Sequence, residues 1–204
     1  MHMMGNRVIT IGRQYGSNGR IIAQKLAERL GIHYYDRELV DLAGQNSSIP
    51  YEELRKVDEK RANPWRYPVE DDVQMERRFR FEPMNDVLFS EQSKVIRDLA
   101  KKEDCVIVGR CADYVLRAYP SCIKVFIYGA LEERIKVIME RASVDEKEAA
   151  TLIRKMDKQR RYYYNYYTDE KWGDLSRYDL SVDSCRFGIE GTLDILEAAY
   201  RTGK

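Results

Sequence analysis

The feature that most constrains the fold is a short glycine-rich stretch, residues 12–20, which lies between a β-branched run and a helical pattern. Residues 8–11 are all β-branched and few enough to form a buried strand. Apolar residues then recur at helical spacing from Ile22 to Leu30, and Gly31 is a typical helix stop. The chain thus has a strand, then a glycine-rich turn, then a helix N-terminus. This arrangement places free backbone N–H groups at the positive end of a helix dipole, where an anion binds well.

The stretch departs from the Walker A pattern G-x-x-x-x-G-K-[ST] when that pattern is laid on residues 14–21. Gln14 replaces the first glycine, Arg20 replaces the lysine, and Ile21 replaces the magnesium-binding hydroxyl residue. Two interpretations stay open. In the first, Gly16 and Gly19 let the backbone close around a phosphate while Arg20 adds a forked positive charge. In the second, the glycines serve only the packing of a strand-to-helix turn.

Composition limits the functions that the whole chain could have. With 204 residues and a net charge of +1, it is predicted to be one domain without a general attraction for nucleic acid or acidic membranes. No apolar stretch is long enough to cross a membrane, and the first residues do not resemble a signal peptide. The four cysteines are scattered and only two histidines occur, so we expect reduced thiols in a cytoplasmic protein rather than a disulfide or metal framework.

Strand and helix patterns alternate along the rest of the chain. Short apolar or alternating runs at 33–36, 105–109, 123–128 and 178–183 predict strands, and helical patterns separate most of them. This alternation predicts a parallel sheet covered on both faces. Asp36 either caps the following helix or lies with Arg37 beside the glycine-rich turn, at the carboxyl end of its strand.

Two segments have unusual compositions. Residues 46–83 are rich in proline and charge, which favours an exposed insertion; the basic and aromatic run 77–81 within it could contact nucleic acid, but acidic residues flank it. A predicted helix that begins near Asp145 has a basic side, which is either a solvated face or a clamp for a polyphosphate. The tyrosine-rich run 162–167 follows, and packing, stacking on a base and subunit contact all stay open for it.

Taken in order, six segments resemble the cytidylate kinase-like family, a divergent branch of the nucleoside monophosphate kinases. The resemblance covers nearly the whole chain, and only residues 46–83 match poorly. The six segments are Gly16-Ser17-Asn18-Gly19-Arg20, Tyr34-Tyr35-Asp36, Val108-Gly109-Arg110, Glu132-Glu133-Arg134, residues 157–161 and Asp183-Ser184.

The resemblance implies an α/β fold: a three-layer P-loop NTPase fold with a five-stranded parallel sheet, plus a helical insertion and a lid. Residues 1–204 would form one domain, with a nucleoside monophosphate-binding insertion at 46–83 and the lid at 154–168. The implied activity is transfer of a phosphoryl group from ATP, with Mg²⁺, to a nucleoside monophosphate or a related small acceptor, CMP or dCMP being the first choice. ATP and that acceptor would be the partners, without nucleic acid or membrane, and a homo-oligomer stays open.

The resemblance also implies roles for individual residues. The donor phosphates would be bound by Tyr15, Gly16, Ser17, Asn18, Gly19 and Arg20. The acceptor would be bound by Asp36, Arg37, Arg110, Asp113 and Asp157. The transferred group would be stabilised by the catalytic residues Arg20, Arg154, Arg160 and Arg161.

Two departures from the family pattern affect these expectations. Cys111 stands where the family has an acid after Gly-Arg, and Asp113 is expected to substitute for that acid. Ile21 cannot supply a hydroxyl to the metal. Ser17 is expected to do so, and the alternative is that water and the nucleotide hold most of the ion. The departures leave one alternative open, a non-catalytic nucleotide-binding sensor or interaction protein.

Overall fold

A computed structural model of the chain describes residues 6–36, 38–45 and 84–203. Within them lies one five-stranded sheet in the order β2-β3-β1-β4-β5, and every neighbouring pair of strands is parallel. The strands are β1 (Val8–Arg13), β2 (His33–Tyr35), β3 (Cys105–Val108), β4 (Cys122–Tyr128) and β5 (Leu180–Asp183). The prediction of a parallel α/β sheet is therefore confirmed.

Helices connect the strands, and several begin or end where the sequence indicates. They are α1 (Gly19–Leu30), α2 (Glu38–Gln45), α3 (Met84–Lys102), α4 (Ala112–Val115), α5 (Leu131–Ala142), α6 (Glu146–Thr168) and α7 (Ser184–Thr202), with a 3₁₀ turn at Leu175–Arg177. Gly31 ends α1 at a φ of 67°, and its N–H bonds the last carbonyls of that helix. Asp145 caps α6 by accepting a hydrogen bond from the Glu148 N–H at 2.8 Å.

Apolar side chains cover both faces of the sheet and give the fold three layers. On one face, Ile9 and Ile11 of β1 pack with Ile22 and Leu26 of α1 and with Leu193 of α7. On the other face, residues of β1 and β3 pack with α2, α3 and α4, in a cluster that includes Val8, Ile107, Leu39 and Ile96. Burial on both faces explains why the strands are continuous apolar runs in the sequence.

The sheet order determines which chain segments meet at its carboxyl edge. Strands β2, β3 and β1 are neighbours and run in the same direction, with Tyr34 level with Val106, and Ile11 level with Val108. Asp36 after β2, Arg110 after β3 and the glycine-rich loop after β1 therefore leave the sheet side by side. This edge is where open α/β sheets bind ligands.

Some expectations lie outside the described residues, namely the insertion at 46–83 and the acceptor-binding role of Arg37. Residues 154–168, which were predicted to form a lid, make up the larger part of the continuous helix α6. None of the helices in the described ranges combines the length and the apolar character that a membrane crossing requires.

Candidate active site

The loop between β1 and α1 presents a free helix N-terminus. Gly16 has a φ of 83° and Asn18 a φ of 56°, so the chain turns sharply before α1 begins at Gly19. Asn18 is the N-cap residue, but its side chain makes no capping hydrogen bond, and the first turn of α1 contains no acid. The N–H groups and the positive dipole end of this twelve-residue helix are thus available to an anionic ligand.

A cavity of about 390 Å³ opens above this helix N-terminus. The described residues that line it include most of the loop and one carboxylate, that of Asp36. They also include five arginines from five parts of the fold: Arg13, Arg20, Arg110, Arg141 and Arg160. A cavity with five guanidinium groups and one carboxylate is suited to a ligand that carries several negative charges.

Asp36 joins two of these arginines. One carboxylate oxygen accepts a hydrogen bond from Arg110 Nη1, and the other lies 2.8 Å from Arg20 Nε. Asp36 and Arg110 are 5% and 4% exposed, whereas the Arg20 side chain is 53% exposed. Of the two roles considered for Asp36, the position beside the glycine-rich turn is thus the one observed: the carboxylate binds arginines from α1 and from the end of β3.

Arg160 and Arg141 reach the cavity from the α5–α6 hairpin. Arg160 Nη1 donates a 3.0 Å hydrogen bond to the carbonyl of Arg13, and its guanidinium lies 5.7 Å from the centre of the Tyr15 ring. Arg141 Nη2 donates to Asn18 Oδ1 at 2.5 Å. Both guanidiniums are therefore held against the loop by contacts within the protein itself.

A buried ion pair lies behind the loop. Asp157 Oδ2 accepts a hydrogen bond of 2.7 Å from Arg134 Nη1, and its Oδ1 accepts one of 2.8 Å from the Tyr15 N–H. Arg134 also donates to the carbonyls of Tyr15 and Gly129, each at 3.0 Å. Both residues are buried, with Arg134 7% and Asp157 8% exposed.

The structure brings together eight of the residues predicted for the site. Around the cavity lie Tyr15, Gly16, Asn18, Gly19, Arg20, Asp36, Arg110 and Arg160. Five others do not line it: Ser17, Asp113, Arg154, Asp157 and Arg161. Arg154 and Arg161 are exposed on α6, and Arg154 Nε donates back to the carbonyl of Ala150 in its own helix. A helix presents only some of its residues to one neighbour, which explains why one of the three expected arginines reaches the cavity.

Asp113 lines two smaller pockets instead. Its Oδ2 accepts a 2.7 Å hydrogen bond from the Tyr164 hydroxyl, and its residue is 8% exposed. Burial raises the pKa of Asp113 above the usual carboxyl value, and the hydrogen bond from Tyr164 opposes that rise. One of these pockets is also lined by Gly109, Arg110 and Cys111, so Asp113 shares a pocket with the residue whose expected acid it was predicted to replace.

Ser17 does not fit the expected role of a metal ligand. Its residue is 1% exposed, and its hydroxyl donates a 2.8 Å hydrogen bond to the Gln14 carbonyl within the loop. No group of three or more acidic, histidine or cysteine side chains that could hold a metal ion occurs among the described residues. Protein ligands for a resident Mg²⁺ are therefore not assembled in this part of the chain.

The tyrosine run packs α6 against α3. Tyr163 and Tyr164 are buried with Cys111, and Tyr167 stacks on Phe89 with ring centres 4.2 Å apart. The Tyr167 hydroxyl donates to Asp86 of α3 at 2.9 Å. Tyr162 and Tyr166 are 47% and 42% exposed, and the Tyr166 ring meets the Tyr167 ring edge to face, with ring centres 4.9 Å apart. The packing interpretation thus accounts for three of the five tyrosines.

Sequence reasoning missed three arginines, Arg13, Arg134 and Arg141, although each is placed at the loop by the fold. Arg13 directly precedes the loop and Arg134 belongs to one of the motifs of the resemblance, so both carried a signal. Arg141 lies in the last turn of α5, 123 positions from its partner Asn18. Nothing in its local sequence indicates that contact.

The family model of the cytidylate kinase-like family matches residues 8–186. The chain belongs to this family. A cytidylate kinase from Methanopyrus kandleri is 29% identical over 203 residues, with 94% of this chain and 92% of the relative covered. A cytidylate kinase from Methanosarcina acetivorans is 36% identical over 101 residues, which cover 48% of this chain and 55% of the relative.

Solved structures agree with the family at the level of the fold. An uncharacterised protein from Eubacterium ventriosum has 31% identity and a TM-score of 0.72, with 97% of this chain and 99% of that chain covered. Shikimate kinase from Bacteroides thetaiotaomicron has a TM-score of 0.52 over 96% of this chain and 98% of that chain, at 12% identity. The latter likeness shows the fold alone, and the expected P-loop kinase fold is confirmed.

Proposed function

We propose that this chain is a phosphotransferase that moves a phosphoryl group from MgATP to a nucleoside monophosphate, with CMP or dCMP as the first candidates. The observation that carries the proposal is the cavity at the N-terminus of α1, which is lined by five arginines and one aspartate. Phosphoryl transfer depends mainly on positioning and on neutralising the charge of the transferred group. A phosphate-binding loop surrounded by guanidinium groups provides both.

The loop is proposed to bind the donor. Backbone N–H groups among residues 16–20 would hold the phosphates at the α1 N-terminus, since the Tyr15 N–H is already bonded to Asp157. Arg20 would take the charge-neutralising role of the lysine in a Walker A loop. The exposed fraction of the Arg20 side chain, 53%, leaves its outer nitrogens accessible to such a ligand. Gln14 supports the loop from behind, because its Oε1 accepts the Gly129 N–H at 3.2 Å.

Arg110 is proposed to bind the acceptor phosphate. It follows β3, and Asp36 connects it to Arg20 on α1. One carboxylate would thus set the spacing between a donor-side and an acceptor-side guanidinium. Arg160, which rests on the carbonyl of Arg13, would contact the transferred group between them. In this scheme Arg160 carries the role for which Arg154 and Arg161 were also considered.

Magnesium is proposed to enter as part of the nucleotide substrate. Because the described residues assemble no set of protein ligands for it, Mg²⁺ would be held mainly by the donor phosphates and water. The insertion at 46–83 is proposed to complete the acceptor site. The end of α6 is proposed to cover the site in the manner of a lid, in an enzyme that acts in the cytoplasm.

The proposal is tested by a coupled assay of ADP release, with MgATP and a panel of nucleoside monophosphates, nucleosides and small alcohols. Arg20→Ala is run beside Arg29→Ala, a matched change on an outer face of α1, where Arg29 pairs with the exposed Asp194. Turnover with CMP or dCMP that Arg20→Ala abolishes and Arg29→Ala retains is the expected result. Turnover only with another acceptor would keep the phosphotransferase and remove the cytidylate assignment.

The non-catalytic nucleotide-binding protein stays as a second candidate, and one observation favours it. Ile21, at the position of the metal-binding hydroxyl residue, lines the cavity and is 38% exposed. Calorimetry with ATP separates the candidates, because binding without turnover across the panel would select the binder. Failure of the wild-type chain to bind ATP would refute both candidates.

A further inference from the structure

Tyr15 is the point at which the phosphate loop meets the α5–α6 hairpin. Its N–H is bonded to Asp157 of α6, and its carbonyl accepts a hydrogen bond from Arg134 of α5. Its ring packs against the apolar cluster between the two helices, which includes Ile138 and Ile153. Both backbone polar groups and the side chain of one loop residue are therefore fixed by the hairpin.

We propose that Asp157 and Arg134 are positioning residues for the donor nucleotide: together they hold Tyr15, and through it the phosphate loop, in the conformation that receives the phosphates. This differs from the acceptor-side role expected for Asp157 and rests on the donor-binding part of the proposed function. Asp157 does not line the cavity, and each of its carboxylate oxygens already accepts a hydrogen bond from Tyr15 or Arg134.

Close packing at Gly16 supports the same conclusion. A Cβ atom built on Gly16 would lie 2.9 Å from the Arg134 carbonyl oxygen and 3.0 Å from Arg134 Cβ. The loop thus lies directly on the backbone of α5 at the residue that also bonds Tyr15. Because Arg134 Nε bonds the Gly129 carbonyl at the end of β4, the contact also ties the loop to the sheet.

The ion pair also holds the surroundings of Arg160, one of the arginines that line the cavity. Arg160 follows Asp157 by three positions on α6 and shares its side of the helix. The guanidinium of Arg160 lies over the Tyr15 ring that Asp157 and Arg134 hold in place. Release of Tyr15 would therefore disturb the donor loop and one guanidinium of the transfer site together, while Arg110 and Asp36 keep their contacts.

The first test is amide hydrogen exchange of residues 14–19 in the ligand-free protein, with Asp157→Asn and Arg134→Lys as the variants. Asp145→Ala is the matched control, because it removes the N-cap of the same helix and leaves the loop contacts intact. Both test variants should exchange the Tyr15 amide, which Asp157 binds in the wild type, at least about tenfold faster, because local opening no longer breaks the ion pair. The control should leave the exchange of this amide unchanged.

The second test is ATP affinity, measured by calorimetry without acceptor, beside steady-state KM values for both substrates. In Asp157→Asn the Kd for ATP should rise about tenfold, because only a fraction of the loops stays in the binding form. The KM of the acceptor should stay within about twofold of wild type. Arg134→Lys keeps the positive charge with fewer donors and should weaken ATP binding in the same direction.

Three outcomes would overturn the inference: unchanged loop exchange in both variants, a defect confined to the acceptor KM, or an equal effect of Asp145→Ala. If Asp157→Asn does not fold, Arg134→Lys decides the test. If the wild-type chain fails to bind ATP, the proposed function fails, and the exchange experiment still decides whether these two residues hold the loop.

Discussion

Asp36→Asn offers a sharp test of the site's electrostatics. The substitution keeps the size of the side chain but removes the negative charge that Arg110 and Arg20 share. Arg110 is 4% exposed, so its guanidinium would be left buried without that carboxylate. We therefore expect a large loss of stability from a change of a few atoms.

The two contacts of Asp36 contribute unequally to that loss. Removing one partner of a buried ion pair costs about 3–5 kcal/mol, and an asparagine that still accepts a hydrogen bond places the Arg110 contact near the lower end. The Arg20 side chain is 53% exposed, and ion pairs in solvent contribute about 0–1 kcal/mol. The sum, about 3–4 kcal/mol, would shift the urea midpoint by about 1.5–2 M at a slope near 2 kcal/mol/M.

Equilibrium urea unfolding at neutral pH and low salt measures this loss. Asp194→Asn is the matched control, since the Asp194 side chain is 73% exposed in its pair with Arg29, and it should cost less than about 1 kcal/mol. Added inorganic phosphate should stabilise Asp36→Asn more than wild type, because an anion can bind where the carboxylate was. A loss for Asp36→Asn no larger than that for Asp194→Asn would refute the reasoning.

Three further predictions concern single side chains around the site. Gly16→Ala should lower the free energy of unfolding, measured by thermal denaturation, by about 2–3 kcal/mol, because Gly16 has a φ of 83° and a backbone oxygen would lie 2.9 Å from the new Cβ. Gly31→Ala is the control: Gly31 has a φ of 67° with nothing within 4 Å of the new Cβ, and the loss should be about 1 kcal/mol. Arg160→Ala should lower kcat about 100-fold and Arg154→Ala less than about threefold, and equal losses in the coupled assay would contradict the structure. Burial raises the pKa of Asp113, so above about pH 4 the unfolded chain loses this proton before the folded chain does, and the Asp113 contribution to stability falls as pH rises. The urea midpoint of Asp113→Asn should therefore rise relative to that of wild type between pH 4 and 7. A difference in midpoint that stays constant over this range would refute the prediction.

Local patterns were sufficient for much of the fold. The β-branched run at residues 8–11 predicts β1, the glycine-rich loop predicts the turn, and the apolar spacing from Ile22 to Leu30 predicts α1. The structure has these three elements in that order. Burial on both faces of a parallel sheet produces continuous apolar strands, which is a signal that a single sequence carries. Boundaries were less certain: β1, predicted at residues 8–11, extends to Arg13, and β5, predicted from residue 178, begins at Leu180.

The site residues likewise fall into those that local sequence predicts and those that it does not. Asp36, Arg110 and Arg20 could be selected because each directly follows a strand or begins a helix, and parallel strands end at one edge. The choice among Arg154, Arg160 and Arg161 could not be made, because it depends on how α6 is rotated against the loop. The partners of Asp113 and Asp157 could not be predicted either, because Tyr164 and Tyr15 lie 51 and 142 positions away.

By itself, the sequence determined that a strand, an anion-binding turn and a helix follow one another, because hydrophobic spacing and glycine placement act over a few residues. Only the tertiary structure decided that Arg134 and Asp157 support the loop and that Arg141 reaches Asn18. Those contacts join residues 119 to 142 positions apart. They require the α5–α6 hairpin to pack against the loop that follows β1, and the geometry of that packing is not encoded in any single stretch of the chain.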